Sequence, residues 1–328
     1  MDLHRIQDVF SISNAAEFNQ LAMEIFKFQY RHNSVYQTFC NYLGKSASNV
    51  SRIDDVPFLP IQFFKTHKVT SADKEIEAVF ESSGTSGTRT SKHYIADLSL
   101  YGQSFRKGFE RFYGPVDDYC ILALLPSYLE RQGSSLIYMV NDLVQRSKHS
   151  QSGFYLYDLK VLNKKLIQLE KKQTKTLLIG VSFALLDLAE RFPLPLKHTT
   201  VMETGGMKGR RKELIREELH TILKNAFSTS HVHSEYGMTE LLSQAYSKGD
   251  GIFHAPPWMR VLVRDPEDPL STKSYGETGG LNIIDLANVH SCSFIATQDL
   301  GKTFSNGSFE VLGRFDHSDI RGCNLMAL

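Results

Sequence analysis

The stretch from Phe80 to Tyr94, F-E-S-S-G-T-S-G-T-R-T-S-K-H-Y, gathers more hydroxyls and small residues than a turn requires. Gly84 and Gly87 permit a tight backbone path, and the hydroxyls of Ser83, Thr85, Ser86 and Thr88, with exposed amides, can surround a phosphate without a formal positive charge. A triphosphate is the natural guest, and a solvated Ser/Gly loop is the other reading of the segment taken alone. It is not the G-x-x-x-x-G-K-[ST] phosphate loop, because Thr88 and Arg89 follow the second glycine. A second segment, S-E-Y-G-M-T-E at 234–240, joins an aromatic ring, a glycine, a hydroxyl and a carboxylate. Tyr236 suits stacking on a base, Thr239 a bond to phosphate and Glu240 a magnesium ion, although a Tyr-Gly turn before a capped helix accounts for the same residues. T-Q-D-L-G at 297–301 and V-L-G-R-F-D at 311–316 complete an ordered series.

The elements that must position these residues read as alternating strand and helix. Phe18, Leu21, Ile25, Phe26 and Phe28 recur in a helical pattern within an aromatic-rich helical entrance over 15–43. The prolines of V-P-F-L-P-I-Q-F-F-K at 56–65 favour an extended path, and I-E-A-V-F-E-S then runs as a strand into the hydroxyl-rich stretch. Buried strands are expected at C-I-L-A-L-L-P, F-Y-L-Y, K-T-L-L-I-G-V, H-T-T-V-M-E-T-G-G and H-V-H-S-E-Y-G-M. Between them lie helical patterns, including R-R-K-E-L-I-R-E-E-L-H-T-I-L-K from 210. A parallel α/β fold is the economical reading. Beyond 250 the texture changes to short strands and turns, a β-rich subdomain. The basic run K-G-R-R-K at 208–212 reads as a solvated helix start, with contact to an anion as the other reading, against which stands the helix N-terminus that disfavours positive charge.

In this order S-S-G-T-S-G-T, Y-G-M-T-E, T-Q-D-L-G and G-R-F-D resemble the phosphate loop and later nucleotide motifs of the acyl-adenylate-forming (ANL) superfamily, which includes acyl-CoA synthetases and luciferases. The resemblance implies an ANL-type large N-terminal domain of βα subdomains plus a β-rich subdomain, using ATP and Mg²⁺. By it, Ser83 to Thr88, with Gly84 and Gly87, line the triphosphate, and Gly205 and Gly206 lie near adenine and the acyl group. Tyr236 and Gly237 flank adenine, Thr239 contacts the α-phosphate, Glu240 binds magnesium, Asp299 holds the ribose hydroxyls and Arg314 assists it. Two departures stand out. Arg89-Thr90 replaces the family's Pro-Lys, leaving Arg89 or Lys92 as substitutes, and T-Q-D replaces T-G-D. Only residues 317–328 follow Asp316, so the family's lysine-bearing C-terminal domain is expected to be absent. The expected organisation is an adenylation core over 1–250, a β-rich subdomain over 251–313 and a hinge remnant with a short tail over 314–328.

That tail carries Cys323, and in this it resembles the acyl-protein synthetases of the LuxE type, which load an activated acyl group onto their own cysteine for a fatty-acid reductase. P-S-Y-L-E-R-Q-G-S-S-L at 126–136 adds Ser127, Tyr128, Arg131 and Ser135 as candidates for the substrate region. The resemblance implies that a carboxylic acid, of fatty type, becomes an acyl-AMP and then a thioester on Cys323, with Arg321 two residues away to favour the thiolate. Two alternatives stand beside it: a ligase passing the acyl group to coenzyme A, a carrier protein or an amine, and a nucleotide-binding module without turnover.

The whole chain agrees with a folded enzyme. At 328 residues and 41% hydrophobic content it can bury a sizeable core. A net charge of +1 gives no global field for nucleic acid or an anionic membrane, and no apolar segment is long enough to suggest a membrane span. The charged opening M-D-L-H-R-I-Q-D-V-F lacks a signal-peptide core. Cys40, Cys120, Cys292 and Cys323 are widely separated, without zinc or disulfide spacing, so a cytoplasmic setting is expected.

Overall fold

The computed structural model describes residues 9–71, 74–82, 89–126, 133–156, 158–205 and 214–314. The chain divides into two compact units, both discontinuous in sequence. The first comprises residues up to Ser104, Thr239–Ser243 and the chain from His254, and the second comprises Phe105–Met238 and Gln244–Phe253. Among the described residues no helix is long and apolar enough to cross a membrane.

The first unit begins with the helical entrance, which is two helices, α1 (Ala15–His32) and α2 (Ser34–Tyr42). Asn14 caps α1 by accepting from the Glu17 amide at 3.0 Å, and Glu17 accepts from the Ser13 amide at 2.8 Å, satisfying donors the helix cannot. Asn33 breaks the run: its side chain accepts from the Tyr36 amide at 2.9 Å and caps α2. The proline segment follows as the short strand β1 (Leu59–Pro60) and one helical turn, α3 (Phe63–Thr66). β2 (Ala78–Glu81) then pairs antiparallel with β3 (Lys92–Ile95), a strand not expected from the sequence. The Glu81–Lys92 ion pair (3.2 Å) and the Ser82 amide donating to the Ser91 carbonyl (3.0 Å) hold the stems from which the stretch 83–88 leaves and returns. α4 (Leu98–Tyr113) comes next, and from Phe105 its residues belong to the second unit.

The second unit is a βα succession: β4 (Cys120–Leu124), α5 (Ser135–Arg146), β5 (Gly153–Phe154), α6 (Leu159–Lys171), β6 (Thr176–Gly180), α7 (Ser182–Arg191), β7 (Thr199–Glu203), α8 (Arg216–Phe227), β8 (His233–Tyr236), β9 (Ala245–Ser247) and β10 (Ile252–His254). Its strands lie in the order β5-β4-β6-β7-β8-β9-β10, parallel from β5 to β8, with β9 antiparallel to β8. Every residue of β4 and β6 is buried, as strands covered on both faces must be. β5 lies earlier than F-Y-L-Y suggested. α8 begins at Arg216, not at 210, because Ile215 is extended (φ −66°, ψ 153°) and serves as the N-cap. The basic run 208–212 lies outside the described residues.

The first unit closes with an antiparallel meander, β11 (Met259–Arg264), β12 (Gly279–Asp285), β13 (Phe294–Thr303) and β14 (Phe309–Arg314). β1 runs parallel to β13, Leu59 opposite Ile295. S-F-I-A-T and T-Q-D-L-G are therefore one strand, and its period-2 alternation buries Thr297, Asp299, Gly301 and Thr303 on the same face.

Candidate functional site

In the first unit, β13 and β14 are in register so that Asp299 lies opposite Arg314. Arg314 Nε donates to Asp299 Oδ1 at 3.2 Å, the carboxylate side chain 8% exposed and the guanidinium 59%. The pair thus has one dry partner and one wet partner. Arg264 on β11, also buried, donates to the carbonyls of Leu281 (2.8 Å) and Thr297 (2.5 Å) and to Asn282 Oδ1 (3.0 Å). Burial pushes its guanidinium down to about 10, opposed by the charge of Asp299. Thr297 Oγ1 accepts from the Asp299 amide at 3.1 Å and donates to the Leu281 carbonyl at 2.9 Å. Asp299 is therefore held through its amide by Thr297 and through its side chain by Arg314, with carboxyl oxygens able to accept from hydroxyl donors.

Thr239 and Glu240 open the segment Thr239–Ser243, which is held by its main chain. The Thr239 carbonyl lies 2.8 Å from His93 Nδ1, and the Glu240 carbonyl accepts from Asn288 Nδ2 at 2.8 Å. Buried Asp285 accepts from the amides of Leu242 (2.7 Å) and Ser243 (2.9 Å) and from Ser243 Oγ (2.5 Å). The Glu240 residue is 5% exposed. Burial raises its carboxyl above the usual range, against the Ser91 hydrogen bond and the charges of Arg314 and Lys65. Among the described residues no three His, Cys, Asp or Glu converge as in a protein-built metal cage. A nucleotide-borne Mg²⁺ needs less, one or two carboxylates with phosphate oxygens and water, and the Glu240 carboxylate fits that donor chemistry.

In the second unit the candidate residues lie at the carboxyl ends of β7 and β8, adjacent parallel strands, where open α/β sheets place ligands. Gly205 follows β7 with φ +67°, in the left-handed region. Its amide donates to Glu203 Oε2 at 2.8 Å. Burial works against the Glu203 charge, yet His220, Arg216, Ser234 and the Gly205 amide together hold its carboxyl below the usual range. Thr204 Oγ1 donates to Glu235 Oε2 at 2.6 Å, joining the ends of β7 and β8. Burial pushes Glu235 up to about 7, helped by the neighbouring charge of Glu203 and opposed by the Thr204 bond. A Cβ at Gly237 would lie 2.5 Å from Glu235 Oε1, so this carboxylate would have to move to admit one. The Tyr236 ring is buried and packs on Phe253, centroids 5.8 Å apart.

The expected residues therefore assemble in two sets. Glu240, Asp299 and Arg314 come together in the first unit with Thr239, and Gly205, Tyr236 and Gly237 in the second. Ser83, Gly84, Thr85, Ser86, Gly87, Thr88, Gly206, Ser127, Tyr128, Arg131 and Cys323 lie outside the described residues. Ser135 is the first residue of α5, after the cap Ser134. Of the substitutes for the family lysine, Lys92 is paired with Glu81 and Arg89 is exposed. Sequence reasoning passed over Ser91, His93, Glu203, Glu235, Arg264 and Asp285. The signal available for two of them was a charge inside an apolar strand, in V-M-E-T-G-G and M-R-V-L-V-R. Cys40, Cys120 and Cys292 are buried free thiols, and burial raises all three, Cys40 to about 12.

Over 72 residues the chain is 38% identical to the long-chain-fatty-acid–luciferin-component ligase of Photorhabdus luminescens, a match covering 22% of this chain and 61% of that one. It is 22% identical over 332 residues to the ligase of the same name from Vibrio harveyi, covering 94% of this chain and 86% of that one. Among solved structures, 2-hydroxyisobutyryl-CoA ligase in its postadenylation state with 2-HIB-AMP superposes with a TM-score of 0.68 at 14% identity, over 93% of this chain and 69% of that one. ATP-bound MatB from Rhodopseudomonas palustris superposes with a TM-score of 0.56 at 19% identity, over 74% of this chain and 49% of that one, about half its length. These likenesses establish the mixed α/β fold of the N-terminal domain of adenylating enzymes. Residues 9–327 match the family described as acyl-protein synthetase, LuxE, and the chain belongs to that family.

Proposed function

We propose that this protein uses ATP to activate a long-chain fatty acid as its acyl-adenylate and then carries the acyl group on Cys323 as a thioester. The observation that carries the reading is the meeting of Glu240, Asp299 and Arg314, drawn from three separate motifs, in one electrostatic neighbourhood. The family match supports it, extending to residue 327 and so taking in Cys323. The acid's carboxylate attacks the α-phosphorus, the bond to the bridging oxygen breaks, and pyrophosphate leaves. Thr239 meets the α-phosphate, Asp299 accepts from the ribose hydroxyls, and Arg314 faces the same region. Glu240 would hold Mg²⁺, which supplies neutralisation of phosphate charge when bound. The hydroxyl-rich stretch 83–88 grips the triphosphate, and Gly205, Gly206, Tyr236 and Gly237 border adenine and the acyl group.

In the second half-reaction the Cys323 thiolate attacks the acyl carbonyl, AMP leaves with the electron pair on its phosphate oxygen, and a thioester remains. The three described cysteines are unsuited to this step, because burial raises each thiol and leaves little thiolate. The acyl group then passes to a fatty-acid reductase.

Incubation with ATP, magnesium and a labelled long-chain fatty acid should give a hydroxylamine-sensitive label on the protein, abolished in Cys323→Ala while pyrophosphate exchange persists. Undiminished label in that variant overturns the cysteine's role. Product formed only on adding coenzyme A, a carrier protein or an amine reassigns the acceptor. Absence of exchange with every acid leaves a nucleotide-binding module.

A further inference from the structure

We propose that His93 and Asn288 are positioning residues that hold the main chain of Thr239 and Glu240 in its working arrangement; this rests on the adenylation reading above. His93 lies on β3, the strand the chain enters after the stretch 83–88, and is fully buried. Its Nδ1 lies 2.8 Å from the Thr239 carbonyl and its Nε2 lies 3.0 Å from Asn288 Oδ1. The Phe64 ring packs edge-on against the imidazole, centroids 5.6 Å apart, and keeps the ring plane in place. One side chain thus ties the strand that follows the hydroxyl-rich stretch to the segment carrying Thr239 and Glu240.

Asn288 sits in the 3-10 turn Leu286–Asn288 and donates through Nδ2 to the carbonyls of Glu240 (2.8 Å) and Cys292 (3.0 Å). Those two acceptors fix the amide's orientation, since turning it would set Oδ1 against both carbonyls. Oδ1 must then face His93, and both ring nitrogens face acceptors. A neutral imidazole has a single N–H, so one contact is a hydrogen bond and the other a close approach of two acceptors. With the proton on Nδ1, the Thr239 carbonyl at 2.8 Å is its acceptor. Burial, which pushes the ring down to about 4, keeps it neutral at physiological pH. The carbonyls of the two residues proposed to meet phosphate and metal are each held by a buried donor from a different element. Rotating either peptide would swing the Thr239 hydroxyl and the Glu240 carboxylate away from the phosphates.

The test compares full-length His93→Asn, His93→Gln, His93→Phe and Asn288→Asp by pyrophosphate exchange, with thermal melting to confirm folding. Asparagine places an amide nitrogen near Nδ1, glutamine near Nε2, and phenylalanine keeps the shape with neither. His93→Phe and Asn288→Asp should lose about 10²-fold in kcat with the KM for ATP within about threefold, as expected for misplaced groups with binding intact. His93→Asn should recover to within about tenfold of the parent and His93→Gln should not. A long-range ¹H–¹⁵N spectrum of histidine-labelled protein should show an Nδ1–H ring that disappears in His93→Phe. The proposal falls if folded His93→Phe keeps parental kcat, if glutamine restores as well as asparagine, or if the ring proton sits on Nε2. Should His93→Phe fail to fold, the Asn/Gln pair and the ring spectrum decide. Should the parent exchange pyrophosphate with no acid, the adenylation reading fails. The backbone shifts of Thr239 and Glu240 in His93→Phe against His93→Asn then decide the positioning claim, unchanged shifts overturning it.

Discussion

Glu235 and Glu240 come from one seven-residue motif, yet their surroundings differ in sign. Burial raises both carboxyls, and each accepts one hydroxyl, from Thr204 and Ser91 respectively. Glu240, in the first unit, also feels the cations Arg314 and Lys65, whereas Glu235, in the second, feels the anion Glu203. The difference teaches how one short motif can supply two kinds of acid. A buried carboxylate facing cations remains ready to accept another, such as a metal ion. A part-buried carboxyl facing an anion tends to keep its proton and serves as a neutral strut.

The strongest way to break this contrast is Glu240→Gln. Pyrophosphate exchange should fall about 10²-fold, in line with removing an electrostatic group from an adenylation centre. Thermal stability should hold or rise, because a neutral amide replaces a desolvated carboxyl. Unchanged exchange would erase the distinction between the two glutamates.

Gly237→Ala probes the strut by crowding it. The new Cβ would meet Glu235 Oε1 at 2.5 Å and Gln244 Cγ at 3.3 Å. Urea unfolding should show a loss of about 1–3 kcal/mol, most of it recovered by adding Glu235→Ala. Strict additivity would mean that the glycine serves something other than this carboxylate.

The smallest effect is expected from Glu235→Gln, which keeps an acceptor for Thr204. A carboxyl raised from 4.5 to about 7 binds more protons in the folded than in the unfolded state within that window. Parent stability should therefore decline as pH rises from about 4.5 to about 7 and level off above, and the variant should lack this decline. The gain at pH 8, read from urea midpoints, is about 1 kcal/mol after allowing for partial solvent access.

Much of the fold was legible as pattern. β4 is an unbroken apolar run and β6 is apolar at its centre, as doubly covered strands need, and the change of texture beyond 250 marks the meander β11–β14. β3 was missed because K-H-Y-I is short and mixed in polarity, so its pairing with β2 sets its character. The start of α8 was misplaced because charge and spacing continue helically through residues where the backbone of Ile215 is extended. At the site, the types and order of Tyr236, Glu240, Asp299 and Arg314 could be read. The supports mostly could not: Asp285 and Asn288 reach their partners across pairings of strands and turns that leave no local trace, and for Arg264 only a charge inside an apolar strand was visible, not its partners.

By itself the sequence determined which chemical groups exist and in what order, because hydroxyl, glycine and carboxylate spacing is a local property. It also determined the alternation of buried strand and helix, since burial imposes periods of 2 and 3.6 on one chain. Only tertiary structure decided that Asp299 rather than Leu300 faces inward on β13, through the register that sets it opposite Arg314. It alone decided which glutamate faces cations and which an anion, because those charges arrive from residues distant in the chain. Long-range packing sets desolvation and Coulomb partners together, and these give identical side chains different chemistry.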